Sequence, residues 1–307
     1  MADITCKLGS LTLRNPFVLA SGVVGSSESL LERAAYHGCG AVTAKSCGLK
    51  VRAGHANPIV LDWGHGLINA VGLTNPGARA MAKHLTKAKE IVHRQGALLF
   101  ASIFARTIDE FPVTAEIIAG IEPDLLEVDI SCPNIGEYGL PFAARESTAA
   151  QATELVKKAA GNVPVAIKLA PNVPNIGGLA RVVEQAGADF ITAVNTIPGM
   201  IIDARAAKPV LSNKTGGISG YALKPIALNC VAEIASRISI PIIGTGGINS
   251  GEDAVEMIMA GATAVGVGSA VYYRGVDVFN TLTEELVAFM DEESYSDLAS
   301  MRGKALI

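Results

Sequence analysis

The sequence predicts a (β/α)8 barrel, and three patterns favour this fold class. A unit of short apolar segment, amphipathic segment and tight return recurs along the chain. The returns from helix to strand are short and contain a helix-ending glycine such as Gly38 or Gly187. The connections from strand to helix are long after the second, fourth and sixth strands. Because that extra length lies at one end of the barrel, we expect the functional residues at the carboxyl ends of the strands.

A small hairpin is predicted ahead of the repeating units. Residues 4–13 have the pattern of two short strands that turn at Gly9 and Ser10. The barrel strands that follow are expected to be short and apolar, because parallel strands are covered on both faces. Their predicted bounds are 17–20, 41–44, 98–104, 125–130, 163–169, 190–194, 241–244 and 264–267.

Amphipathic helices are predicted between these strands. An acidic first turn, as at Glu252 and Asp253, and a glycine after the last apolar position mark their ends. The predicted bounds are 27–37, 78–94, 147–161, 177–185, 224–237, 250–260 and, for a C-terminal helix, 276–290. A single domain over residues 1–307 accounts for this series. The main alternative is a doubly wound open sheet, but residues 20–25 only loosely resemble the glycine-rich fingerprint expected after its first strand.

Composition restricts the class of function. The chain has 307 residues, 50% of them hydrophobic, and a net charge of −4. It contains no basic run that would indicate nucleic-acid or membrane binding. It also lacks a signal-peptide pattern and an apolar run of about 18 residues, so we expect a cytoplasmic protein without a membrane span. The five cysteines lack C-x-x-C spacing, which argues against a zinc or iron–sulfur site held by this chain alone.

The fourth predicted strand ends in an unusual group, Ser131-Cys132-Pro133-Asn134. A single cysteine is most often a buried structural thiol. Cys132, however, follows a strand end and begins a loop of about 14 residues, far longer than the 2 to 6 residues usual in such units. A loop of that length is more often a lid than a linker, so Cys132 is the candidate catalytic residue.

Other strand ends also carry polar residues. Lys45 and Lys168 follow apolar runs, a position that favours a ligand site, although two structural ion pairs would also explain them. Gly246-Gly247 and Gly268-Ser269 follow the seventh and eighth strands, where such barrels bind phosphate.

Three asparagines, Asn69, Asn134 and Asn195, suit a planar ligand whose edge alternates C=O and N–H. Turn chemistry is the alternative explanation for asparagines in loops.

Several of these motifs occur together and in order: Lys45-Ser46, Asn69-Ala-Val-Gly-Leu73, Ser131-Cys-Pro-Asn134, Ile167-Lys-Leu169, Asn195-Thr196, Thr215-Gly-Gly-Ile-Ser-Gly220 and Gly244-Thr-Gly-Gly247. With these motifs the sequence resembles the dihydroorotate dehydrogenase family over nearly all of its length. A cysteine at 132 and the lack of an N-terminal membrane extension resemble class 1, and the pattern is nearer class 1B than 1A. The related dihydropyrimidine dehydrogenases typically have histidine in place of Asn134.

The resemblance implies oxidation of (S)-dihydroorotate to orotate in de novo pyrimidine (UMP) biosynthesis. Cys132 would remove the C5 proton while the C6 hydride passes to N5 of FMN, one FMN per subunit. The implied FMN-binding residues are Ser21, Gly22, Lys45, Ser46, Ser102, Asp129, Lys168, Val194, Gly220, Gly246, Gly247, Gly268 and Ser269. The implied substrate-binding residues are Lys45, Asn69, Ala70, Val71, Gly72, Leu73, Asn134, Asn195 and Thr196. No metal is implied.

Class 1B resemblance also implies partners. It implies a homodimer of this subunit and an electron-transfer subunit that carries FAD and a [2Fe–2S] cluster and passes electrons to NAD. Fumarate remains an alternative acceptor.

Two positions depart from the family pattern, since asparagine usually stands in place of Asp129 and near Ser102. A negative charge beside a flavin disfavours its reduction. We therefore expect Asp129 to be protonated, paired with a lysine such as Lys45 or Lys168, or turned away.

Two other functions fit part of the pattern. A Schiff-base lyase or aldolase acting on a phosphorylated substrate would use Lys168 or Lys45 as its nucleophile. A non-catalytic subunit that binds a phosphorylated ligand is the third possibility. Within the first function, Cys47 is the rival candidate for the base.

Overall fold

The computed structural model describes residues 2–131 and 142–306. Eight parallel strands, β1 to β8, form a closed barrel in which each strand pairs with the next and β8 pairs with β1. The predicted (β/α)8 barrel is therefore confirmed. The strands are β1 Phe17–Leu19, β2 Ala41–Thr43, β3 Leu98–Ile103, β4 Leu125–Asp129, β5 Val165–Leu169, β6 Phe190–Ala193, β7 Ile242–Thr245 and β8 Ala264–Val267.

Helices surround the barrel and alternate with its strands. Those predicted from the amphipathic pattern all form, within a few residues of the expected bounds. Two further helices, α3 and the short α8, were not predicted. The helices are α1 Glu28–Tyr36, α2 Ala78–Arg94, α3 Glu110–Ala119, α4 Glu146–Ala160, α5 Ile176–Gln185, α6 Lys224–Ala235, α7 Gly251–Met259, α8 Ala270–Arg274 and α9 Val278–Glu292.

The predicted hairpin forms from strands Cys6–Leu8 and Leu11–Leu13, which are antiparallel. It covers the amino-terminal end of the barrel. A Cβ on Gly9 would lie 2.7 Å from the ring of Phe190 on β6, so the turn packs directly on the barrel interior. The Cys6 thiol also contacts the carbonyl oxygen of Thr263, at 3.2 Å.

A second, small sheet stands over the opposite end of the barrel. Its four antiparallel strands come from the long connections after β2 and β6, and we call it the rim sheet. In spatial order the strands are Ile197–Gly199, Gly216–Ser219, Leu67–Asn69 and Val60–Asp62. The sequence predicted long connections here but not strands. The rim sheet joins segments that are far apart in sequence into one wall at the carboxyl ends of the barrel strands.

The lid was predicted from Cys132 to the helix signal at Ser147, and its residues 132–141 lie outside the described residues. Within the part of the chain that the structure describes, no helix is long and apolar enough to cross a membrane. No three His, Cys, Asp or Glu side chains in those same residues are grouped so that they could hold a metal ion.

Candidate active site

A cavity of about 670 Å³ lies between the carboxyl ends of the barrel strands and the rim sheet. It brings together the sequence-predicted site residues that the structure describes, with the exception of Ser102. Cys132 and Asn134 lie outside the described residues. The predicted residues that line the cavity are Ser21, Gly22, Lys45, Ser46, Asn69, Ala70, Val71, Gly72, Leu73, Asp129, Lys168, Val194, Asn195, Thr196, Gly220, Gly246, Gly247, Gly268 and Ser269.

Other residues line the same cavity but were not among the predicted site residues. The rim sheet supplies several of them, and the run Thr215-Gly-Gly was the sequence signal that pointed there. His55 had no such signal; its Nδ1 lies 3.1 Å from the carbonyl oxygen of Ala70, so it contacts the Asn69–Leu73 segment. Additional polar lining residues are His55, Ser131, Asn172, Asn213, Thr215, Ser219, Thr245 and Tyr272.

Lys168 on β5 is the buried cation of the cavity, with its side chain only 9% exposed. Its Nζ lies 3.4 Å from Oε1 of Glu127, which is itself 6% exposed on the neighbouring strand β4. A buried ammonium needs such a partner, because an unpaired charge inside a protein is costly. Sequence reasoning missed Glu127, since a glutamate within an apolar strand does not reveal its partner.

Asp129 faces the cavity from the end of β4 and is not turned away. Its Oδ1 accepts hydrogen bonds from the backbone N–H and the hydroxyl of Ser131, at 3.0 and 2.5 Å. The side-chain amide of Asn195 donates to the same carboxylate, at 3.3 Å to Oδ2. Lys168, one of the lysines expected to pair with Asp129, lies against Glu127 instead.

Asn195 is held in a fixed orientation by these contacts. Its Nδ2 donates to Asp129 and also to Oγ of Ser131, at 2.7 Å. Its Oδ1 accepts from the backbone N–H of Thr196, at 2.7 Å. Both ends of the amide therefore have protein partners, so the direction of its dipole at the cavity wall is set before a ligand binds.

A row of serines crosses from the cavity wall to Glu127. The Oγ atoms of Ser21 and Ser46 are 2.9 Å apart, and those of Ser46 and Ser102 are also 2.9 Å apart. Ser102 then donates to Oε1 of Glu127, at 3.0 Å. We expected Ser102 at the cofactor, but it is buried behind the wall and reaches the cavity only through Ser46.

The glycine pair Gly246-Gly247 forms a close junction between β7 and the start of α6. Gly247 has φ of +78°, and a Cβ on it would lie within 2.5–2.9 Å of Lys224 atoms, including its backbone. A Cβ on Gly246 would lie 2.6 Å from Cβ of Ala227. Only glycine fits here, so backbone rather than side chains faces the cavity, as an anion-binding segment requires.

Four cysteines occur in the described residues, and all four are buried. Cys47, the rival candidate for the base, is fully buried, and its backbone pairs with β3 through Ser102 and Phe104. Burial raises the pKa of the Cys47 thiol to about 12. At neutral pH this thiol supplies almost no thiolate and does not reach the cavity, so the structure argues against Cys47 as the base.

Known proteins resemble this chain over most of its length. The family model for dihydroorotate dehydrogenase matches residues 3–290. A protein of Methanocaldococcus jannaschii is 42% identical over 286 residues, which cover 92% of both chains. One of Methanosarcina mazei is 42% identical over 97% of this chain and 94% of its own, and one of Pyrococcus abyssi is 40% identical over 98% of both. All three are named dihydroorotate dehydrogenase B (NAD(+)), catalytic subunit.

The similarity is thus to class 1B, and the matched span includes the residues of the barrel, the rim sheet and the cavity. A match of this length, at this identity, shows common ancestry of the whole described fold. The chain belongs to the dihydroorotate dehydrogenase family.

Proposed function

We propose that the chain oxidises dihydroorotate to orotate and that it binds FMN in the cavity. The observation that carries the proposal is the convergence, in one 670 Å³ cavity, of a glycine cradle, a buried lysine and a set of oriented amides. A volume of this size suits a cofactor or drug-sized ligand. The named activity of the relatives supplies the substrate.

The residues present fit FMN at both ends. Gly246, Gly247, Gly268 and Ser269 would hold the phosphate, because a Cβ-free backbone presents its N–H groups to an anion. Around the ring would lie Ser21, Gly22, Ser46, Asp129, Lys168, Val194 and Gly220. FMN, when bound, supplies the acceptor for the hydride that leaves C6 of the substrate. The Lys168 ammonium stabilises negative charge on the ligand that lies against it.

The substrate would be held by the segment Asn69–Leu73 together with Lys45, Asn134, Asn195 and Thr196. Lys45 matches the carboxylate of dihydroorotate by charge. Gly72 and Leu73 both have positive φ, 80° and 56°, so this segment turns sharply where it meets the cavity. A Cβ on Gly72 would lie 2.7 Å from the backbone nitrogen of His55, so the turn packs closely against that residue.

Cys132 is proposed as the base that removes the C5 proton. Support comes from the other four cysteines, which are unsuitable as bases because they are buried. Burial raises the pKa of the thiol to about 11 for Cys230 and to about 12 for Cys6, Cys39 and Cys47. A thiol acts as a base through its thiolate. In sequence, Cys132 comes directly after Asp129 and Ser131, which line the cavity at the end of β4.

The partner proposal follows the names of the relatives. They are catalytic subunits of NAD(+)-type enzymes, which implies a second subunit in those proteins. For this chain we propose a homodimer that binds an electron-transfer subunit with FAD and a [2Fe–2S] cluster, with NAD as the final acceptor.

The Schiff-base alternative loses support from the ion pair. A Schiff-base lysine must attack its substrate as a free amine. Lys168 instead lies against the carboxylate of Glu127 in a nearly closed environment.

The first prediction tests the base. In anaerobic mixing of dihydroorotate with FMN-loaded protein, Cys132→Ser should abolish fast bleaching of the flavin absorbance at pH 7 and leave FMN bound. Cys47→Ser is the control and should reduce its flavin at a rate close to wild type. A normal rate in Cys132→Ser would contradict the role of Cys132. A protein that binds no flavin, but is trapped by borohydride on a lysine, would contradict the proposed function.

A further inference from the structure

Glu127 does not line the cavity, yet it accepts from Lys168, which lines the cavity, and from Ser102, which lies behind the cavity wall. Its Oε1 lies 3.0 Å from Oγ of Ser102 and 3.4 Å from Nζ of Lys168. The residue is 4% exposed and lies on β4, between the strands that carry its two partners. A carboxylate only accepts hydrogen bonds, so both contacts point their hydrogens at Glu127.

The serine row has more contacts than hydrogens. Ser21 Oγ donates to the carbonyl oxygen of Ala44, at 3.1 Å, and Ser102 donates to Glu127. Two further contacts join Ser21 to Ser46 and Ser46 to Ser102. Each hydroxyl carries one hydrogen, so the three hydrogens serve at most three of the four contacts, and a hydrogen turned toward a ligand would leave a second contact without one. Toward the cavity, Ser21 and Ser46 therefore offer lone pairs in preference to hydrogens.

Lys168 has the opposite character. Its ammonium can only donate, and Glu127 holds it at the wall of the same cavity. The wall thus presents acceptors at Ser21 and Ser46 and a cation at Lys168. A ligand edge that fits it carries an N–H or O–H donor at one position and an electron-rich acceptor at the other. The edge of a flavin ring is of this class, so the inference rests on the proposed function.

We propose that Glu127 is a positioning residue that makes the serine wall an acceptor and fixes Lys168 as the cation beside it. The carboxylate sets both properties from behind the wall, because it is the terminal acceptor of the serine row and the counter-ion of the lysine. Its substitution changes recognition without removing a group that touches the ligand.

Glu127→Gln is the second prediction. A glutamine amide carries hydrogens of its own and can donate to Ser102, which frees a serine hydrogen to point into the cavity. The variant also removes a negative charge beside Lys168, which favours the reduced flavin. Titration of apoprotein with FMN should show binding weaker by about tenfold, or about 1.4 kcal/mol. The midpoint potential of the bound flavin should rise.

Three further variants separate recognition from packing. Glu127→Asp keeps the charge and should keep the wild-type potential even though its shorter side chain packs less well. Ser102→Ala keeps the charges of Glu127 and Lys168 but removes one acceptor for the hydrogen of the Ser46 hydroxyl. That hydrogen can then point into the cavity, so FMN binding should weaken several-fold with no change in the midpoint potential. Thr153→Val removes a buried hydrogen bond to Ala149 on α4, remote from the cavity, and should change neither quantity.

The outcomes distinguish this inference from the proposed function. Wild-type protein that does not bind FMN would overturn both. Wild-type protein that binds FMN, beside a folded Glu127→Gln variant with the same affinity and the same potential, would overturn the inference alone. So would a Glu127→Asp variant whose potential shifts as far as that of Glu127→Gln. If Glu127→Gln does not fold, wild-type FMN affinity in Ser102→Ala overturns the role of the serine row.

Discussion

The side chain of Asp129 affects the electrostatic potential in the cavity. Its carboxylate lines the cavity and accepts hydrogen bonds from Ser131 and Asn195, the contacts that suit an ionised carboxylate. Negative charge near a flavin opposes its reduction, because reduction adds negative charge to the ring. Asp129 and Lys168 therefore act in opposite directions on the same ligand.

Asp129→Asn is the third prediction. The midpoint potential of bound FMN should rise, since a charge is removed and the side chain keeps nearly the same shape. A spectroelectrochemical titration measures it. Asp124→Asn is the matched control, because Asp124 precedes β4, accepts from Leu99 N–H and His93, and does not line the cavity. Equal potentials in Asp129→Asn and wild type would exclude an electrostatic role for Asp129.

At the residue scale, the sequence predicted which side chains face the cavity better than it predicted their partners. Lys45, Lys168, Asn69 and Asn195 could be located because strand ends in a barrel converge. The pairing of Lys168 with Glu127 could not, because it depends on the register between β4 and β5 and on the rotamers chosen there. The serine row was missed for the same reason, since Ser21, Ser46 and Ser102 follow or belong to three different strands.

At the element scale, the junction between β7 and α6 supplies a sharp test. Gly247 and Gly25 share φ of +78°, but a Cβ on Gly25 would have no atom within 4 Å, whereas one on Gly247 would meet the start of α6. Alanine substitutions at Gly25 and Gly247 therefore separate the cost of the backbone conformation from the cost of steric crowding.

Gly247→Ala is the fourth prediction. Gly25→Ala should lower the free energy of unfolding by about 1 kcal/mol, the cost of a left-handed conformation for a residue with a Cβ. Gly247→Ala should lower it by about 2–4 kcal/mol, because overpacking adds about 1–3 kcal/mol. It should also weaken FMN binding. Urea unfolding measures the first effect and FMN titration the second. Equal losses of stability in both variants would show that α6 can shift away from the added Cβ without a cost in free energy of unfolding.

The elements that were missed have identifiable causes. Helix α3 carries Pro112 near its start and has a weakly separated apolar face, so its pattern did not stand out from the loop before it. The strands of the rim sheet are three or four residues long and include glycines, which gives no alternation to detect. Their pairing comes from contacts between distant connections, such as Asn69 opposite Gly217.

On the scale of the whole molecule, buried thiols tie stability to pH. Burial raises the pKa of Cys39 from an ordinary value near 9.0 to about 12 in the folded chain, and it acts on Cys6 and Cys47 in the same way. Between these values the unfolded chain loses thiol protons that the folded chain keeps. The stabilisation is therefore complete below pH 9 and is lost as pH rises toward 12.

The fifth prediction concerns this alkaline range. The free energy of unfolding should fall with a slope that each buried thiol increases by up to about 1.4 kcal/mol per pH unit. Urea unfolding at a series of pH values from 8 upward measures the slope. Cys39→Ala should be less stable than wild type at pH 8 but show a shallower decline above pH 9. Parallel curves for the two proteins would show that the Cys39 thiol ionises equally in both states.

The barrel itself was the most predictable feature, because eight apolar segments with short returns leave few other topologies. Closure, however, joins the first strand to the last, with Val18 opposite Gly266. The rim sheet likewise forms only when Leu67–Asn69 pairs with Gly216–Ser219.

These pairings determine when the cavity can form during synthesis of the polypeptide. While the ribosome is still making the second half of the chain, the pairing of β8 with β1 has not formed. The pairing of Leu67–Asn69 with Gly216–Ser219 in the rim sheet is also missing at first. A nascent chain that ends before Ala264–Val267 therefore lacks the closed cavity, and the proposed binding of FMN must follow synthesis of β8.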